Sequence, residues 1–131
     1  MMPAVTFSQI LAVAVGATFG AWVRWLAGLW LNAKWAGFPL GTLLVNCAGG
    51  LLIGGLLLWF ERTPNELMRL LLVTGLLGGL TTFSSYSGES LILIQRGHLA
   101  LAVGHTMAHV VGSLACAALG YRVVAHLLGV D

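Results

Sequence analysis

Residues able to handle an ion are concentrated in one stretch of this sequence. Gly78-Gly79-Leu80-Thr81-Thr82-Phe83-Ser84-Ser85-Tyr86-Ser87-Gly88-Glu89-Ser90 carries six Ser and Thr hydroxyls, one phenol and one carboxylate. The stretch lies inside a hydrophobic segment running from about Leu67 to Ile94. Thr and Ser cap helix starts, and glycine accepts dihedrals closed to other residues. The order Gly78, Gly79, Thr81, Thr82 therefore predicts a broken helix whose second half starts near Thr81 or Thr82. Such a break frees carbonyls that suit a cation and amides that suit an anion. The alternative is a continuous helix whose hydroxyls bond back to its own carbonyls.

Other residues extend this chemistry. Phe83 and Tyr86 are three apart and share a helix face, so their positive ring edges can face an anion, or simply pack. Asn46, in Gly41-Thr42-Leu43-Leu44-Val45-Asn46, sits mid-span. Its amide either offers two donors to an anion or makes an interhelical hydrogen bond. Arg24 is a lone cation near a membrane edge, where snorkelling is the simpler expectation. Glu89, two turns past the break, can pair with an arginine, face a vestibule or take part in proton-linked transport. His105 and His109 are four apart on one face. That is a metal-compatible spacing, but no third ligand converges on them from the sequence, and interior hydrogen bonding is the expected role.

Four hydrophobic elements must position these groups. They span about Val5 to Leu31, Leu40 to Phe60, Leu67 to Ile94 and Leu99 to Leu128. Asn32-Ala33-Lys34-Trp35-Ala36-Gly37-Phe38-Pro39 forms a turn-rich link with interfacial aromatics, and Pro64 blocks continuation of the second helix. Small residues recur at intervals of four: Gly16 and Gly20, Gly50 and Gly54, Gly75 and Gly79, and Ala108, Gly112, Cys116 and Gly120. In lipid such faces let helix backbones approach closely. Four short spans enclose little volume, so association of copies is the further expectation.

Composition narrows the function classes. Of 131 residues 59% are hydrophobic and 8% charged, with mean hydropathy +0.96. A water-soluble domain carries about 25% charge, so the chain reads as an all-α integral membrane protein of one domain, residues 1–131. No length remains for a nucleotide-binding or soluble catalytic domain, and six scattered basic residues give nucleic acid no footprint. Cys47 and Cys116 lie in apolar runs as packing residues. No Lys or Arg precedes Arg24, so the first segment is expected to stay in the mature protein. Arg62, Arg69 and Arg122 on one side balance Arg24, Lys34 and Arg96 on the other. This even tally is compatible with insertion in both orientations, and opposed copies could pair. No nucleophile with a base, phosphate loop or cofactor box is present, so an enzyme is not expected.

The chain resembles the small bacterial fluoride channels of the CrcB or Fluc family over nearly its whole length. The resemblance rests on Gly20-Ala21-Trp22-Val23-Arg24-Trp25, Pro39-Leu40-Gly41-Thr42-Leu43-Leu44-Val45-Asn46, Gly78 through Ser87, and His109-Val110-Val111-Gly112-Ser113. It implies an antiparallel dual-topology homodimer of four-helix subunits in the inner (plasma) membrane, with two pores and passive fluoride export. Asn46 would be the pore asparagine, and Phe83 and Tyr86 the aromatic box. Thr42, Ser84, Ser85 and Ser113 would fall on the polar track, with Glu89 beside it and Arg24 in a vestibule or structural role. Backbone carbonyls of Gly78 and Thr81 from both subunits would hold a structural sodium ion. Two departures stand out: Tyr86 occupies a position where the family usually has phenylalanine, and Ala117 replaces a threonine. The alternative function is a small dual-topology proton-coupled multidrug exporter, for which Glu89 is the only intramembrane carboxylate. A third reading, a non-transporting assembly subunit, leaves the hydroxyl run and Asn46 unexplained.

Overall fold

A computed structural model describes residues 4–34 and 37–130. Trp35, one of the interfacial aromatics expected in the first link, lies outside the described residues. Among them the chain is helical and has no strand, and four helical segments are long and apolar enough to cross a membrane.

The first helix, Phe7–Leu31, starts on a reciprocal cap. Gln9 N–H donates to Thr6 Oγ1 at 3.3 Å, and Thr6 N–H to Gln9 Oε1 at 2.9 Å. Asn32 ends this helix and starts the next. Its Oδ1 accepts from the Gly41 and Thr42 amides at 2.7 and 3.3 Å. These are orphan donors of the second helix, Leu40–Arg62, whose Pro39 cap offers no side-chain acceptor. After Thr63 and Pro64, Asn65 caps the third segment by accepting from Met68 N–H at 3.0 Å.

The third segment changes its winding along its length. Glu66–Arg69 is α-helical, Leu70–Leu77 is wound as a π-helix, and Gly78–Leu80 closes the first half. Thr81 (φ −81°, ψ 155°) and Thr82 (φ −150°, ψ 119°) are extended. Helix resumes as Phe83–Gln95, with Thr82 Oγ1 accepting from Ser85 N–H at 3.1 Å. A glycine turn at Gly97 (φ 79°) leads to the fourth helix, Leu99–Leu128, which ends on left-handed Gly129.

Packing follows the small-residue faces. The second helix lies against the fourth, and the first against the first half of the third segment. A Cβ on Gly54 would strike the Ala117 carbonyl, and one on Gly120 the Leu51 carbonyl, so side chains have been removed where backbones touch. Gly20 plays the same part against Leu76 on the other seam. A small apolar core of Val45, Leu77 and Leu80 lies where second and third elements meet. Long apolar side chains such as Phe7, Leu114 and Leu127 point outward, as a lipid-facing surface requires.

Candidate functional site: the extended threonine pair and its groove

Two extended residues amid helices leave backbone groups without their usual partners, and Asn46 takes them up. Its Oδ1 accepts from Thr82 N–H at 2.8 Å, and its Nδ2 donates to the Thr82 carbonyl at 3.0 Å. Because an amide N–H can only donate and a carbonyl only accept, these bonds fix which way the Asn46 amide faces. The second Nδ2 hydrogen goes to His109 Nδ1, 3.0 Å away. Both donors that the sequence offered to an anion are therefore used within the chain. A mid-span amide cannot be left unpaired in hydrocarbon, and the unwound Thr82 backbone supplies its complement.

Neighbouring carbonyls sort into held and released. Thr81 N–H and Oγ1 both donate to the Leu77 carbonyl, at 2.9 and 2.8 Å. Gly79 O, stranded by the end of the helix at Leu80, accepts from Arg24 Nε at 2.9 Å. Arg24 has a fixed partner inside the protein, because an orphan carbonyl lies within reach of its guanidinium. The Thr82 amide, which would donate to Gly78 O in a continuous helix, is diverted to Asn46. The Ser85 amide, which would serve Thr81 O, is diverted to Thr82 Oγ1. The interruption thus takes the helical amide partner from the carbonyls of Gly78, Leu80 and Thr81, while Gly79 O is recovered by Arg24.

An open groove of about 510 Å³ runs beside this pair. Gly78, Thr81, Thr82, Asn46, Phe83, Tyr86, His109 and Ser113 contribute to its wall, as do Gly49, Gly50 and Ile53. Phe83 is 78% exposed and meets Tyr86 edge to face, centroids 5.3 Å apart at 63°. Ser84 and Ser85 cluster around Thr82 Oγ1, at 3.3 and 3.1 Å, and are not part of the groove wall. Ser87 bonds back to the Phe83 carbonyl at 2.9 Å.

Thr42 and Glu89 belong to a second cluster, deeper between the helices. Thr42 Oγ1 donates to Glu89 Oε1, His105 Nε2 lies 3.2 Å from Glu89 Oε2, and Ser90 Oγ lies 2.9 Å from His105 Nδ1. The Tyr86 ring stacks on His105 and meets His109 at a tilt, with centroids 5.6 and 4.8 Å away, and joins this cluster to the groove. One ligand atom each from Glu89, His105 and His109 fall within 4.8 Å of one another. A third group of metal-ligating type, not visible in the sequence, is Glu89, brought opposite the histidines by the packing of Phe83–Gln95 on the fourth helix. No local spacing relates residue 89 to 105, so only the fold could reveal it.

Comparison with known proteins agrees with this architecture. The family model described as "CrcB-like protein, Camphor Resistance (CrcB)" matches residues 11–121. A protein of Aromatoleum aromaticum named fluoride-specific ion channel FluC is 47% identical over 123 residues, covering 92% of this chain and 94% of its own. One of the same name from Bordetella petrii is 54% identical over 115 residues, 86% of this chain and 88% of its own. Another, from Pseudomonas aeruginosa, is 44% identical over 125 residues, 94% and 98% of the two chains. With four membrane-length apolar helices and a match across most of its sequence, the chain is a multi-pass membrane protein that belongs to the CrcB family.

Proposed function

We propose that this protein is a fluoride-selective channel of the inner membrane that releases cytoplasmic fluoride passively and so protects the cell from it. The observation that carries the reading is the groove beside Thr81 and Thr82, in a chain so similar to proteins named fluoride-specific channels. Fluoride is small and strongly hydrated, so a path for it must replace water with donors while holding the ion weakly enough to let it go. The Ser113 hydroxyl and the ring edges of Phe83 and Tyr86 at the groove, with the hydroxyls of Thr42, Ser84 and Ser85 away from its wall, are neutral and individually modest, which suits release better than a buried arginine. Asn46 holds Thr82 in its extended form and borders the same groove. Glu89, already engaged by Thr42 and His105, flanks the path rather than blocking it.

A single chain leaves this groove open and Phe83 exposed, and a second copy in the opposite orientation would close it. The balanced basic residues permit such an antiparallel homodimer, with two pores each shared between subunits. The carbonyls of Gly78 and Thr81, released from helical bonding, fit a sodium ion in the dimer centre, because hard cations take oxygen donors. When bound, that ion would supply fixed positive charge and tie the two interrupted segments together. This chain's own part is to present the carbonyls, which the Asn46 and Thr82 side chains do by diverting two amides.

The proton-coupled exporter has no comparable support. The relatives named above are all fluoride channels by name, and both Glu89 oxygens are already engaged by Thr42 and His105. The reading is tested by fluoride-electrode measurements on liposomes containing only this protein. Rapid fluoride release with chloride retained is expected, and well-folded protein that releases no fluoride would overturn it.

A further inference from the structure

Among the described residues, one buried side-chain atom has no hydrogen-bond partner: Nε2 of His109, a residue only 4% exposed. Its other nitrogen faces the Asn46 donor, whose direction Thr82 fixes, so the neutral ring carries its proton on Nε2. Alongside lie the imidazole of fully buried His105 and the carboxylate of Glu89, a ligand atom of each within 4.8 Å of one from His109. An unmet polar atom so deeply buried calls for an occupant.

We propose that Glu89, His105 and His109 bind one divalent first-row transition-metal ion, of the zinc class, per chain. Two imidazoles and a carboxylate are the donor set such ions prefer, whereas sodium, magnesium and calcium favour oxygen alone. This site is therefore chemically distinct from the carbonyls of Gly78 and Thr81. Glu89, whose side chain is 20% exposed, gives the ion a way in. Outer partners are already in place: Thr42 holds the second Glu89 oxygen, and Ser90 sits on His105 Nδ1.

Coordination through Nε2 moves each ring proton to Nδ1, with no proton gained or lost by the neutral pair. At His105 this is easily met, since the Ser90 hydroxyl turns from donor to acceptor. At His109 the relocated proton meets the Asn46 N–H, which cannot turn away without releasing Thr82. Metal binding therefore gives up the Asn46–His109 bond and acts on the post that holds the extended pair. Resting on the channel reading above, the consequence is that bound zinc slows fluoride release.

The test uses tag-free wild-type protein in detergent, titrated with Co²⁺ and then Zn²⁺. Visible ligand-field bands saturating at one Co²⁺ per chain and erased by Zn²⁺ are expected. Glu89→Gln and His109→Gln should each weaken binding about tenfold or more, the usual effect of losing a ligand or its support, while His98→Gln leaves it unchanged. No bands in the wild type at millimolar Co²⁺ overturn the site without recourse to any variant, as do bands that persist undiminished in both substitutions. Fluoride release from liposomes separates the two readings. Metal binding with no fluoride release refutes the channel alone, and fluoride release with no metal binding refutes this site alone.

Discussion

Two seams hold the helices together, and they do so by opposite means. Where the second helix meets the fourth, Gly54 and Gly120 have no side chain at all, and each faces a carbonyl of the other helix. Specificity there is a matter of shape. Where the second helix meets the extended threonines, Asn46 uses every hydrogen-bonding group of its amide, two on the Thr82 backbone and one on His109. Specificity there is a matter of direction. The glycine seam fixes how closely rigid helices approach, and the amide seam holds irregular backbone where it borders the groove. One is scaffold, and the other makes the groove.

This contrast can be broken from either side. Gly54→Leu, which drives a branched side chain into the Ala117 carbonyl, is expected to cost about 3 kcal/mol or more and to abolish folded protein. Helical circular dichroism and gel filtration in detergent report it, and a well-folded variant would show that the seam can relax. Asn46→Ala removes three hydrogen bonds and leaves a buried Thr82 amide unmet, so about 2–3 kcal/mol of thermal stability should go, with fluoride release. Retained release would remove Asn46 from the account of the groove. Arg24→Met, stripping the donor from Gly79 O, should cost about 1 kcal/mol in the same melts.

The sharpest contrast comes from Phe83→Ile. Phe83 is 78% exposed in a single chain, so the folding stability of the subunit itself should stay within about 0.5 kcal/mol of wild type. Fluoride release should nevertheless fall about tenfold, equivalent to about 1.4 kcal/mol of barrier. Equal loss of stability and flux would place Phe83 in the scaffold instead.

Helical class and membrane character were legible because they are properties of composition. At 59% hydrophobic and 8% charged, no other surface can be built. Close packing was legible from the interval of four between small residues, and the extended pair falls inside the Gly78–Ser90 stretch that the hydroxyls marked. Partnerships across helices were harder. Nothing local joins Asn32 to the start of the second helix, Arg24 to Gly79, or Glu89 to His105. Arg24 illustrates the reason: a cation near a membrane edge has water as its default partner, and only the crossing of the first helix beside a stranded carbonyl supplies a better one. The π-helical winding of Leu70–Leu77 left no composition signal, since its Leu, Val, Thr and Gly residues occur equally in the α-helical spans.

The central claim, that neutral donors beside Thr81 and Thr82 carry fluoride down its own electrochemical gradient, is tested most directly by current. Purified protein in a planar bilayer, with opposing gradients of fluoride and chloride across it, should pass a current that reverses near the fluoride equilibrium potential and ignores an imposed proton gradient. Reversal at the chloride potential, or a flux that follows the proton gradient, would contradict it.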